Sequence, residues 1–356
     1  MMNIDALLEI VNDRGASDLH ITTGIPPTLR INGNLMRLDM PALGPKESKE
    51  LIEQLLMKDE SICKKFEERG EVDFSYAIPQ IGRFRVNVFK QRGTYAAALR
   101  AVGINIPSME QLGLPRHILE TLSNNTRGLV LVTGPTGSGK STTLATMINY
   151  INEKRKGHIL TLEDPIEYLH KHKNSIVNQR EIGIDSKNYS EALRAALRED
   201  PDVILVGEMR DQETIATAIT AAETGHLVLS TLHTIGAPQT IDRIIDVFPP
   251  HQQQQIKVQL SNILKGVISQ QLIPRTDVKG RCIALEIMVG NPAISNMIRE
   301  GKTHQIYSQI QTGGLNGMVT MDSSIVKLYR EGKISLEIAM NHAQIKEEFK
   351  RLVDRF

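Results

Sequence analysis

The sequence predicts an α/β protein: a parallel sheet covered by helices on both faces, preceded by a smaller α+β domain. Three observations carry this expectation. Short, continuous apolar runs at residues 128–133, 158–162, 203–206 and 226–230 alternate with helical patterns, the order of a parallel sheet buried on both sides. Before residue 103, strand and helix signals follow one another irregularly. The 356 residues also exceed what one compact core usually carries.

Along the chain, residues 18–22 and 28–31 read as short strands, with Asn32-Gly33 as a hairpin turn before 35–38. Leu51, Ile52, Leu55 and Leu56 recur at helical spacing. Over 83–89, Phe84, Val86 and Val88 share one face and Arg83, Arg85 and Asn87 the other, so a half-buried strand presents two guanidiniums side by side. Pro107, Gly113 and Pro115 punctuate residues 104–126, a linker leading into a short helix, with domains expected at 1–103 and 127–356. Beyond the run at 128–133, Leu144, Met147, Ile148 and Ile151 fall on one helical face, and helical patterns follow at 189–198 and 211–223. Residues 252–272 read as one long amphipathic helix, 281–289 as a strand, and the remainder as short helices.

Chemistry concentrates after the first apolar strand. Gly134-Pro135-Thr136-Gly137-Ser138-Gly139-Lys140-Ser141, followed by Thr142, satisfies G-x-x-x-x-G-K-[ST] between a strand and a helix, the context a phosphate-binding loop requires. Small residues let backbone N–H groups turn inward around a β-phosphate, and the helix N-terminus adds positive potential. Lys140 is expected at the β- and γ-phosphates and the Ser141 hydroxyl on Mg²⁺. Glu163 ends the strand 158–162, where ligands bind open α/β sheets, and can orient or deprotonate an attacking water; a turn carboxylate beside Pro165 is the plainer alternative. The strand 203–206 resembles a Walker B element but carries Gly207 where Asp is usual, then Glu208. Glu208 is thus a second candidate, for the Mg²⁺ contact or as the base, and the sequence does not order the two. His226 and His233 bracket the fourth strand; a polar side chain past its end can sense a γ-phosphate, although a lone histidine is more often structural. Arg194, Arg198 and Arg210 read as solvated charges, and Arg83 and Arg85 as either an exposed strand face or arginine fingers.

Composition narrows the classes. Lys plus Arg at 42 against Asp plus Glu at 41 leave +1, which gives no bulk attraction for a polyanion. Aromatics at 4% with no Trp make base-stacking platforms hard to build. Two cysteines, Cys63 and Cys282, supply neither a disulfide scaffold nor a four-cysteine zinc site, which fits a reducing compartment. No stretch of 18 apolar residues and no leader pattern occurs, so a cytoplasmic protein without direct membrane insertion is expected.

Several separated blocks together resemble the PilT-type retraction ATPases of type IV pili, within the secretion ATPase superfamily. They are Ala16 to His20 with Gly24-Ile25-Pro26-Pro27, Gly82 to Asn87 with Gln91-Arg92-Gly93, the phosphate loop, Glu163 to Glu167, Gly207 to Asp211, and His226 through His233. A later block, Ala293 to Glu300, is similar to the family's C-terminal motif but has Ser295 where Arg is expected. The resemblance implies a PAS-like N-terminal domain, a RecA-like ATPase domain and a homohexamer with ATP and Mg²⁺ between subunits. It also implies an acidic box at Glu163, an atypical Walker B at Glu208, a histidine box at His226 and His233, and N-terminal arginines completing the site. The implied partners are an inner-membrane pilus platform protein and paralogous pilus ATPases, with no nucleic acid. Extension and type II secretion ATPases usually carry a four-cysteine zinc module, so its absence favours retraction.

Overall fold

The chain packs as two units, one of Met1–Asn105 with Glu167–Leu169 and the other of Ile106–Ile166 with His170–Phe356. The computed structural model describes residues 3–31, 33–57, 59–78, 81–103 and 106–354.

In the first unit, the Asn3 side chain caps α1 (Ile4–Asp13), whose Leu7, Leu8 and Val11 are buried. The chain continues through β1 (Asp18–Ile21), β2 (Thr28–Ile31), β3 (Asn34–Arg37), α2 (Pro45–Leu56), α3 (Glu60–Arg69), β4 (Glu71–Ile78), β5 (Gly82–Gln91) and β6 (Thr94–Ala101). Among the described residues the strands form one sheet in the order β3-β2-β1-β6-β5-β4, antiparallel throughout. Leu19, Leu29, Leu99, Phe84, Val86 and Val88 enter one core with Leu51 and Leu55 of α2, so the alternation over β5 leaves Arg83 and Arg85 on its other face. The expected turn residue Asn32 lies outside the described residues; Gly33 follows it at φ +85°.

The second unit runs α4 (Arg116–Ser123), β7 (Gly128–Thr133), α5 (Lys140–Lys154), β8 (His158–Glu163), β9 (Ile176–Glu181), α6 (Tyr189–Ala196), β10 (Val203–Val206) and α7 (Gln212–Glu223). Then come β11 (Leu227–Leu232), α8 (Ala237–Asp246), α9 (Pro250–Ile263), β12 (Leu264–Pro274), β13 (Arg281–Val289), α10 (Pro292–Arg299), α11 (Ile306–Thr312), α12 (Met321–Arg330), α13 (Leu336–His342) and α14 (Lys346–Asp354). Among the described residues the sheet order is β13-β12-β7-β11-β10-β8-β9, parallel except for the β12–β13 pair. Alternate strand residues feed two layers. Leu129, Leu131, Leu160 and Val228 pack against α6 to α9. Val130, Val132, Ile159 and Leu229 pack against α4 and α5, together with Met109 and Leu114 from the chain before α4. Burying both faces is why these strands read as continuous apolar runs.

One expectation fails. The helix expected over 252–272 stops at Ile263, and the chain turns directly into the strand β12. The helical spacing of Ile256, Leu260 and Ile263 is genuine, but further on the backbone is claimed by ladders to β7 and β13 on both sides. Gly266 permits that approach, since a methyl there would lie 2.8 Å from Leu122 Cδ2 and 3.0 Å from Met288 O. The β-branched pair Val267-Ile268 suits the pleat, so tertiary pairing overrides the periodicity.

Candidate nucleotide site

The carboxyl ends of β7, β11, β10 and β8 converge on the loop 134–139, with adjacent ends in register: Thr133 beside Leu232, Ser230 beside Val206, and Leu162 beside Val206. Lys140 opens α5, and its buried ammonium donates to Gly134 O at 2.9 Å and Pro135 O at 3.1 Å. The loop is thereby drawn round the head of its own lysine. Ser138 Oγ is buried and, among the described residues, has no hydrogen-bond partner. Ser141 and Thr142 follow in the first turn of α5, half-buried. A buried hydroxyl, an ammonium and a helix N-terminus on one glycine-rich loop fit a phosphate group. Ser141 together with a carboxylate suits Mg²⁺, which takes few protein oxygens beside substrate phosphates. Among the described residues no cluster of three His, Cys, Asp or Glu forms a metal cage of its own.

A polar chain connects the loop to the β10 end. His233 Nε2 lies 3.2 Å from Glu208 Oε1; a carboxylate only accepts, so Nε2 carries the proton and donates. In the neutral ring Nδ1 then accepts from Thr136 Oγ1, at 3.4 Å. The other carboxylate oxygen of Glu208 accepts from Arg210 Nε at 2.7 Å; Arg210 is exposed, as the sequence suggested, and its partner is Glu208. Glu208 is aimed by β11: Ser230 Oγ donates to Val206 O at 2.7 Å and Thr231 Oγ1 to Gly207 O at 2.6 Å, fixing the backbone that carries it.

Glu163 stands at the end of β8, half-buried. Its Oε1 accepts from Thr161 Oγ1 at 2.6 Å and from Gln179 Nε2 of β9 at 3.2 Å. The missing Walker B aspartate has a steric explanation. A methyl at Gly207 would fall 2.8 Å from Tyr189 Oη, 3.2 Å from Leu162 O and 3.4 Å from Glu163 Cα, so a side chain there would have to displace the Tyr189 hydroxyl. Burial raises the Tyr189 phenol above its ordinary range, and the charges of Asp164 and Glu163 push it the same way, so it stays a neutral hydroxyl between the strand ends.

The structure does not bring every expected residue together. His226 lies at the amino end of β11, a six-residue strand or about 20 Å from the phosphate loop, with Nδ1 bonded to Ala221 O at 2.9 Å. The nucleotide contact expected of it is therefore not made within this chain; it fastens the end of α7 instead. Arg83 and Arg85 lie on β5 of the first unit. Thr161, Gln179 and Tyr189 are site residues that the sequence reading missed. So is Gln270 of β12, fully buried behind the phosphate loop, and the misread helix is the reason.

Residues 2–351 match the family described as Type II/IV secretion system protein. The type IV pilus retraction ATPase PilT of Pseudomonas aeruginosa is 50% identical over 348 residues, 98% of this chain and 100% of that protein. A twitching motility protein of Neisseria gonorrhoeae is 48% identical over 321 residues, 90% of this chain and 85% of its own. The crystal structure of the pilus retraction motor PilT with bound ADP superposes with a TM-score of 0.91 at 51% identity, covering 99% of this chain and 100% of that one. The ATPase DotB of Legionella pneumophila follows the same fold at 29% identity and a TM-score of 0.77, over 95% of this chain and 94% of its own. With its sequence matched almost end to end and a phosphate loop set in the same fold, the chain belongs to the Type II/IV secretion system protein family.

Proposed function

We infer that this chain is an ATP-hydrolysing motor that powers the retraction of type IV pili and, through it, twitching motility. The observation that carries this reading is the polar chain from Thr136 through His233 to Glu208, built beside the phosphate loop of a protein half identical to a pilus retraction ATPase. ATP is the substrate and Mg²⁺ the cofactor; the metal supplies charge neutralisation on the phosphates, with Ser141 and Glu208 as the groups that would hold it.

In the mechanism, loop N–H groups and Lys140 bind the β- and γ-phosphates. Glu163, held by the neutral donors Thr161 and Gln179, takes a proton from the attacking water. Glu208 has both oxygens engaged, which suits a group that holds and orients. His233 reports the state of the loop tip at Thr136 to Glu208. A homohexamer is the working form, with a PAS-like domain at 1–103, a linker at 104–126 and a RecA-like domain at 127–356. Arg83 and Arg85 of a neighbouring subunit complete each site as arginine fingers, and the ring docks on an inner-membrane platform protein from the cytoplasm. No helix among the described residues is long and apolar enough to cross a membrane.

The test is deletion of the gene, with surface pili counted and twitching measured. More pili with no motility is the expected result; loss of pili would assign the motor to assembly. ATPase activity is expected to ignore added DNA or RNA. Mixing Arg85→Ala with Lys140→Ala subunits is expected to restore some turnover, and no rescue at any ratio would sink the shared site. A second reading, an accessory retraction paralogue, is favoured by 40% identity over 352 residues to the type IV pilus ATPase PilU of Pseudomonas aeruginosa. Motility in a strain whose only retraction ATPase is this one decides between them.

A further inference from the structure

Behind the phosphate loop, on the side away from any nucleotide, Gln270 of β12 is fully buried and bonded through both ends of its amide. Nε2 donates to Ser138 O at 2.6 Å, and Oε1 accepts from Thr143 Oγ1 at 3.0 Å. Its backbone is also pressed against the loop, since a methyl on Gly134 would lie 2.3 Å from Gln270 O. We propose that Gln270 is a positioning residue for nucleotide binding, holding the Ser138–Gly139 peptide so that its N–H faces the phosphates.

The argument is geometric and rests on the nucleotide reading above. A trans peptide is planar, with N–H and C=O pointing opposite ways, so tying Ser138 O outward to Gln270 turns the Gly139 N–H inward. That peptide has no steric lock of its own. Gly139 sits at φ +88°, and glycine tolerates either sign, so that residue does not itself fix the plane and the held carbonyl does. The neighbouring residue supplies a control. Ser269, equally buried on the opposite face of the strand, accepts from Gly236 N at 2.9 Å and fastens the segment leading into α8. Both residues take part in buried side-chain bonds, among the described residues two at Gln270 and one at Ser269, but only Gln270 addresses the phosphate loop.

The experiment measures ADP affinity and thermal midpoint of the full chain for wild type, Gln270→Met, Gln270→Glu and Ser269→Ala. Gln270→Met, which removes both amide bonds, is expected to weaken ADP binding about tenfold, the worth of the buried bond to Ser138 O, and to raise KM for ATP with kcat within about twofold. Ser269→Ala is expected to lower the midpoint comparably while leaving ADP affinity unchanged. Should the methionine variant fail to fold, the near-isosteric Gln270→Glu answers the question. It loses affinity at pH 8 and regains it toward pH 6, where the introduced carboxyl takes a proton it can donate to Ser138 O, while wild type shows no such recovery. Wild-type affinity in the Gln270 variants, or an equal loss in Ser269→Ala, would overturn the proposal. Failure of wild type itself to bind ADP would instead overturn the nucleotide reading.

Discussion

The two ends of the parallel sheet carry similar residues put to opposite uses. At the carboxyl end, side chains meet side chains: Thr136, His233, Glu208 and Arg210 form one chain, with Glu163 held by Thr161 and Gln179 nearby. At the amino end, polar groups bond mostly to backbone. His226 bonds Ala221 O, His158 Nδ1 faces Glu199 O and Asp200 O, Asp202 accepts from His158 N, and Arg155 donates to Ser123 O and Asn125 O. The imidazole of His226 is tied to the carbonyl of a helix end, whereas that of His233 joins other side chains at the edge of the glycine-rich loop. The difference separates two histidines that flank one strand.

The sharpest way to break this contrast is Lys140→Ala, expected to cut phosphate release by about a thousandfold or more, since transition-state charge on the phosphates loses its cation. Glu163→Gln comes next, keeping ATP binding while slowing turnover by about a hundred- to a thousandfold. Normal turnover there would move the base to Glu208. Exchanging the histidines tests the comparison directly. His233→Ala is expected to lower kcat about tenfold at unchanged stability. His226→Ala should cost about 1 kcal/mol of stability, read from a denaturant midpoint, with kcat intact. Equal effects of the two on kcat would dissolve the distinction.

The last test is a titration beside Gln179. His170, whose backbone N–H donates to the same Gln179 that reaches Glu163, has its imidazole pushed down to about 4 by burial, with the Lys173 charge acting in the same direction. The unfolded chain therefore binds a proton that the folded one refuses. Stability is full above about pH 6.5 and falls as the pH drops toward 4, by at most about 1.4 kcal/mol per unit. Urea midpoints at pH 7 and pH 5 are expected to converge in His170→Leu relative to wild type; an unchanged difference would remove the effect.

How much of this was legible in the sequence depends on whether a residue's role is local. The phosphate loop was, because strand, loop and helix are contiguous and the spacing is itself the geometry. The placement of Glu163 and Glu208 at the carboxyl ends of strands was, because short apolar runs end there. Gln270 was not: its importance comes from lying 132 positions beyond Ser138 in the chain, and helical spacing masked the strand that carries it. Gln179 was missed for another reason. Its strand β9 is a polar edge, which no apolar run announces. Arg210 is the exposed charge the sequence suggested, but its pairing with Glu208 was not legible there.

The empty position at Gly207 has a mechanical consequence. Tyr189, the first residue of α6, brings its hydroxyl to within 2.8 Å of where a Cβ on Gly207 would lie, while Gly207 N donates to Leu162 O at 2.8 Å. The ends of β8 and β10, which lead to Glu163 and Glu208, are thus bonded edge to edge beneath a helix residue, and a glycine is what lets the three elements meet.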